Sequence, residues 1–292
     1  YLDTTTGNGY QCFSKDHGHS VGGGNYWAMG NRRYLKRVRD VVKSVDPDGI
    51  MTGENACEIY NDLMDGYLLY NHDNPAAVPA FQAIYHDYVG TYGQFLATAA
   101  KIGEDYPWML PIGISFINGD QFGCTARTDH TMQSAGAADM AWQRRLAHFR
   151  VKCVNKYMAL GEMVRAPKIE NALPEVSGCW KPGAWPVERY GTDTMIRPAV
   201  IHSAWKASDG TVGIVFLNIS EQPRPVRFTV QGRDFGFAPG RALKVTALSL
   251  GPDEKAVQEP CADLAGGVGV VERTMEGRGM WAVEIKVAGN GR

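Results

Sequence analysis

Tyr1-Leu2-Asp3-Thr4-Thr5-Thr6-Gly7-Asn8 and Gly49-Ile50-Met51-Thr52-Gly53-Glu54-Asn55 are the stretches whose reading decides the fold. Each is a short apolar run that ends in a carboxylate and then small polar residues. That is the pattern of a parallel strand delivering an acid to the open end of a sheet and turning into a loop. The stretch between them reads as helix, so Asp3 and Glu54 are expected on neighbouring strand ends of one sheet, facing one cleft.

Working outward, Asp16-His17-Gly18-His19-Ser20 and Val21-Gly22-Gly23-Gly24-Asn25-Tyr26-Trp27 form a Gly-rich loop too irregular for helix or strand. At that length a loop is functional or disordered, and its aromatic content argues for function. Leu35, Val38, Val41, Val42 and Val45 recur at three- and four-residue steps, which predicts a helix over 29–45 that Asp46-Pro47-Asp48-Gly49 stops. Strands are expected at 50–53 and 66–70, with a short helix over 56–64 between them. A buried strand over 80–85 ending at His86-Asp87, a helix over 92–102, a strand over 109–117 ending at Asn118-Gly119-Asp120, and a long helix over 137–163 follow. Strands alternating with helices predict βαβ units and a parallel sheet. Four or five such units precede residue 165, whereas a full (β/α)₈ barrel needs eight and roughly 250 residues. The expected fold is therefore the C-terminal part of a TIM barrel over residues 1–166.

Past Pro167 the pattern changes. From there the chain is rich in Gly, Pro and Val and in strand-like runs, Val200 to Trp205, Val212 to Leu217, Val226 to Val230 and Trp281 to Val287, and Asp209-Gly210 is a hairpin signal. Residues 167–292 are expected to form an antiparallel β-sandwich, with Trp180 and Trp185 packing between the domains.

Composition narrows the function. The 292 residues include 44% hydrophobic and 21% charged, an ordinary globular balance that favours two domains. A formal charge of −1 with no basic block argues against a nucleic-acid partner. No apolar run approaches the ~18 residues that span a bilayer. The chain opens with Tyr inside a strand-like run, which implies residues upstream of Tyr1. Six scattered cysteines without a C-x-x-C pair read as reduced thiols and hint at cytoplasm.

Two acids in one cleft are the minimum equipment for splitting a glycosidic bond: one protonates the leaving oxygen, the other meets the anomeric carbon. General-acid help of this kind is typically worth ~10²–10⁴ in rate. Strand-end acids also cap helices or pair with Arg, so the pattern gains force from its surroundings. Tyr10, Tyr26, Trp27, Trp108 and Trp142 are candidate platforms for a sugar ring, Trp27 the best placed and Trp142 in a core-like helix pattern. His17, His19, His86, Asp87 and Asp120 are candidate hydrogen-bonding partners for sugar hydroxyls. Asp16, His17 and His19 also have the chemistry of metal ligands, but no third ligand is fixed by spacing. No phosphate-binding glycine motif surrounds the triple Gly, and no Gly-x-Ser-x-Gly elbow is present.

In their order, the Asp3 strand end, the Asp16-His17-Gly18-His19 and triple-Gly loop, Thr52-Gly53-Glu54 and Tyr85-His86-Asp87, followed by a β-sandwich, resemble barrel glycoside hydrolases of the endo-α-N-acetylgalactosaminidase type (families 101 and 129) and their uncharacterised bacterial relatives. The resemblance implies that Asp3 is the nucleophile and Glu54 the acid/base of a retaining glycosidase that needs no cofactor and acts on an oligosaccharide or glycoside. The first half of the family's barrel has no counterpart here. The competing readings are a carbohydrate-binding barrel without catalysis, and a metal-dependent hydrolase built on Asp16, His17 and His19.

Overall fold

The computed structural model describes residues 2, 5–6, 9–69, 78–93, 109–123, 129–180 and 193–289. Helix α1 (Tyr26–Val45) forms as its periodicity predicts. Leu35, Val38 and Val42 pack on Met51, Tyr60, Leu63, Met64 and Tyr67. Val41 and Val45, expected on the same face, are exposed. Val41 is turned about 100° from Val42, and Val45 is the last helical residue. Arg39 anchors the helix by pairing with Asp65 at 3.0 Å, and Asp65 also accepts the Met51 N–H at 2.7 Å. Burial opposes ionisation of Asp65, but these two partners outweigh it and hold its pKa below the usual carboxylate value.

Strands β1 (Thr52–Glu54), β2 (Gly66–Leu68) and β3 (Gly90–Tyr92) form a parallel sheet in that order. Single parallel bridges extend it at both sides, Leu2 to Gly53 and Gln121 to Tyr92. Five chain segments thus lie side by side in the order in which they occur along the chain. The described residues do not close a barrel.

Several elements differ from expectation. The 80–85 run is helix α2 (Ala80–Tyr85), which follows Pro79, and not a strand. The 109–117 run is helix α3 (Met109–Ile117), buried on nearly every side. A short apolar run cannot be assigned to buried helix or buried strand by periodicity. The 92–102 helix is not formed at its start, since Tyr92 ends β3, and its remainder lies outside the described residues. Only a 3₁₀ turn, Glu58–Tyr60, stands for the 56–64 helix. The long helix is α4 (Asp129–Phe149), a π-helical turn (Arg150–Val154) and α5 (Asn155–Met158). Residues 162 and 163, expected at its end, belong instead to strand β4 (Glu162–Val164).

The remaining strands are β5 (Glu175–Trp180), β6 (Asp193–Pro198), β7 (Val200–Lys206), β8 (Val212–Asn218), β9 (Arg224–Gln231), β10 (Leu243–Leu250), β11 (Ala256–Leu264), β12 (Val268–Met275) and β13 (Met280–Val287). A six-stranded antiparallel sheet, ordered β11-β10-β13-β8-β7-β4, dominates. Strand alternation gives it two apolar faces. Ile214 and Phe216 of β8, with Trp281 and Val283 of β13, meet the β9–β12 pair through Phe228 and Val271. Val215 and Leu217, with Ala282, face α3 and α4 through Ile112, Phe116 and Leu146. Among the described residues no helix is long and apolar enough to cross a membrane.

Candidate active site

Glu54 is the last residue of β1 and is buried, 8% exposed. Its N–H donates to the Leu2 carbonyl at 3.2 Å, and the Leu2 N–H donates to Thr52 at 2.8 Å. Leu2, which precedes Asp3, is therefore in register with Gly53, which precedes Glu54. Asp3 itself lies outside the described residues. Asn55 follows Glu54 with φ 65°, a left-handed conformation that Asn tolerates better than most side chains. Its N–H donates to Leu68 of β2 at 2.9 Å, so the turn after the acid is tied to the sheet. Thr6 closes the turn from above: its hydroxyl donates to the Glu54 and Asn55 carbonyls.

Beside this strand end lies a hollow of about 300 Å³, walled by Thr6, Tyr10, Trp27, Cys57, Ile59 and Tyr60. That is the small end of ligand-site volumes. Trp27 is 38% exposed and packs edge-on against Tyr10, with ring centroids 5.1 Å apart. A pair held in this way presents a ring face without much loss of side-chain freedom on binding. Burial raises the Cys57 pKa, so that wall is a neutral thiol. Thr6 is the link between the hollow and Glu54, whose side chain is not part of the lining.

The other predicted residues separate into two groups. His17 and His19 stay in the loop, and Tyr26, the first residue of α1, packs against it. The Tyr26 hydroxyl accepts the Cys12 N–H and lies 2.5 Å from the Gly22 carbonyl to which it donates. His19 stacks on Tyr26, with centroids 3.9 Å apart and planes 6° off parallel. His86 and Asp120 belong to a closed polar group elsewhere. Asp120 is fully buried and accepts from Gln82 (3.1 Å), Thr91 (2.5 Å) and Ser115 (3.1 Å). The His86 ring lies between the Gly161 and Gly119 carbonyls at 2.9 and 3.2 Å, tilted against Trp205. Arg150, from the π-helical turn, donates to the carbonyls of Asp120, Gly119 and Met158. Burial pushes its guanidinium down to about 10, with Asp120 opposing. Asp87 is exposed at the end of α2. Trp142 is core and donates to the Arg278 carbonyl at 3.0 Å, while Trp108 and Trp185 fall outside the described residues.

Sequence reading did not pick out Thr6 or Tyr60, and only the closure of the loop brings them to the hollow. A larger hollow of about 470 Å³ lies between Ile117, Ile169, Leu173, Val200 and His202 on the β-domain. Among the described residues its lining includes Lys168 and Arg197 but no carboxylate.

Residues 1–96 match the family described as Domain of unknown function (DUF6259). Over 183 residues the chain is 26% identical to a Monosiga brevicollis protein named "Putative glycoside hydrolase 22789", covering 54% of this chain and 15% of that protein. Over 83 residues it is 34% identical to a Bacteroides thetaiotaomicron protein named "Putative glycoside hydrolase", covering 27% of this chain and 12% of that one. The chain thus spans a small part of the length of the curated relatives it matches. Among solved structures, the α-galactosidase of Saccharomyces cerevisiae superposes with a TM-score of 0.46 at 7% identity, over 91% of this chain and 69% of that one.

Proposed function

We propose that this chain is the C-terminal part of a (β/α)₈ barrel glycoside hydrolase, residues 1–166, followed by a β-sandwich, residues 167–292. It cleaves an O-glycosidic bond with retention. The observation that carries this reading is the parallel pairing of Leu2 with Gly53, which supports placing the next residues, Asp3 and Glu54, at one end of one sheet. Neighbouring parallel strands lie about 4.8 Å apart, a spacing suited to the ~5–5.5 Å carboxyl separation of retaining enzymes. The side-by-side order of the segments, each beside its neighbour in sequence, supports a singly wound barrel over a doubly wound sheet. The names of the two curated relatives support the substrate class.

In this mechanism Asp3 attacks the anomeric carbon while Glu54 protonates the departing oxygen. Glu54 then takes a proton from water, which displaces Asp3 and releases the sugar. Trp27 and Tyr10 hold a sugar ring in the hollow, and an endo-α-N-acetylgalactosaminidase-type substrate is the finer assignment. The burial of His86 and Asp120 gives them a different part: they fix the chain after β3 rather than touch sugar.

The test is hydrolysis of a panel of aryl glycosides by the protein with its native upstream sequence. Glu54→Gln is expected to lower kcat by about 10²–10⁴, and Asp3→Asn at least as much, with proton NMR showing the first-formed anomer retained. Unchanged rates in both variants would reject the assignment.

A further inference from the structure

We propose that Cys12, His17 and His19 form a zinc site that clamps the Gly-rich loop beside the hollow. One ligand atom from each of the three residues lies within 4.8 Å of the others. Cys12 Sγ is 3.1 Å from His17 Nδ1, and the two imidazole centroids are 5.5 Å apart. Zinc bonds of about 2.3 Å to sulfur and 2.0–2.1 Å to nitrogen set tetrahedral donors roughly 3.3–3.6 Å apart. The three groups are therefore near bonding distance, and small side-chain rotations bring them to it.

The surrounding loop holds them there. Cys12 and Gly22 exchange backbone hydrogen bonds (2.7 and 3.3 Å), closing an eleven-residue loop, residues 12–22, at its neck. The Tyr26 hydroxyl braces the same neck at both residues. Gly18, with φ +68° and open space where a Cβ would be, makes the turn that lets the two histidines converge. His19 is fixed in plane by its stack on Tyr26. Its Nδ1 lies 2.8 Å from the Ser20 carbonyl, which can only accept, so Nδ1 carries the proton and Nε2 keeps the lone pair. A histidine whose far nitrogen donates to a carbonyl is oriented as metal ligands usually are.

A thiol and two imidazoles suit Zn²⁺ and disfavour Mg²⁺ or Ca²⁺, which take oxygen ligands. Three protein groups on an accessible loop leave a fourth position facing solvent, filled by water. The sequence points to Asp16 as the companion of the histidines, whereas the fold supplies Cys12. Gln11 and Gly23 flank the loop neck and also line the hollow, so the metal fixes one wall of it. This inference does not depend on the glycosidase reading.

The experiment titrates the chelator-treated, reduced chain with Co²⁺ as the probe. One equivalent is expected to produce the near-ultraviolet thiolate-to-metal charge-transfer band and the intense visible bands of tetrahedral cobalt, both bleached by Zn²⁺. Cys12→Ser should abolish the charge-transfer band, His19→Ala should weaken Co²⁺ binding at least tenfold, and Cys261→Ser should change neither. The proposal is overturned by a folded protein, checked by circular dichroism, that shows no charge-transfer band at saturating cobalt. A band that survives Cys12→Ser overturns it equally.

Discussion

His202 shows how one half-buried side chain sets a pH dependence. Its ring stacks parallel to Phe216 at 5.4 Å, and its Nε2 lies 2.8 Å from the Pro167 carbonyl. Burial lowers its pKa below the ordinary 6.5, and the carbonyl only partly opposes this. Below pH 6.5 the unfolded chain binds a proton that the folded chain refuses until a lower pH. The stabilisation is therefore complete above 6.5 and is lost as pH falls through 6.5 toward the folded value, with a limiting slope of about 1.4 kcal/mol per pH unit. His202→Gln should flatten the Tm-versus-pH curve between about pH 7 and 5, and a curve unchanged in shape would exclude this origin. At this scale, Glu54 and Trp27 were legible because an acid after an apolar run and a Trp in a glycine loop are local signals. Cys12 was not, because only the pairing of its backbone with Gly22 brings its sulfur to His17. Asp120 was legible as an acid but not as a buried one, since its donors come from three separate elements, α2, β3 and α3.

Among elements, the clearest constraint is where α5 crosses β8. Tyr157 is fully buried, and its hydroxyl donates to Glu284 at 2.8 Å beside Thr211. Burial raises the phenol pKa far above its ordinary value, so it remains a donor. Its ring lies flat over Gly213, where a Cβ would be 2.6–2.8 Å from three ring carbons. A rigid ring in a packed interior cannot yield at small cost, so Gly213→Ala should destabilise by about 1–3 kcal/mol. Gly210 is the control, since a Cβ there meets nothing within 4 Å and only its φ of +79° is strained. Gly210→Ala should cost about 1 kcal/mol. Chemical denaturation of both variants measures the difference, and equal costs would mean that the ring moves aside. The strands around Gly213 could be read from the sequence because short apolar runs on either side of Asp209-Gly210 are a strong local pattern. Helices α2 and α3 could not, because an apolar run of six to nine residues satisfies either geometry by its pattern alone.

Across the whole molecule, the six-stranded sheet is the shared layer: one face carries the β9–β12 pair, the other α3 and α4. Residues 109–158 therefore share a core with the chain after residue 166, while α1 and the parallel sheet pack a cluster of their own. Gly113 marks one close approach of the two. A Cβ at Gly113 would lie 2.8 Å from the Ile219 Cδ1 and 3.1 Å from the Ile201 Cδ1. Both are flexible tips, so Gly113→Ala should be tolerated with about 1 kcal/mol of loss or less. Gly113→Leu adds atoms that the sheet cannot accept and should lift α3 from it, at a cost of about 3 kcal/mol or more. If the sheet couples both halves, Gly113→Leu lowers a single unfolding transition, and the signals of Trp142 in α4 and Trp281 on the far face of the sheet fall together. If the halves are independent, Trp281 melts at its parental temperature after Trp142 has been lost. That second outcome would refute the shared core, whatever the chemistry at Glu54.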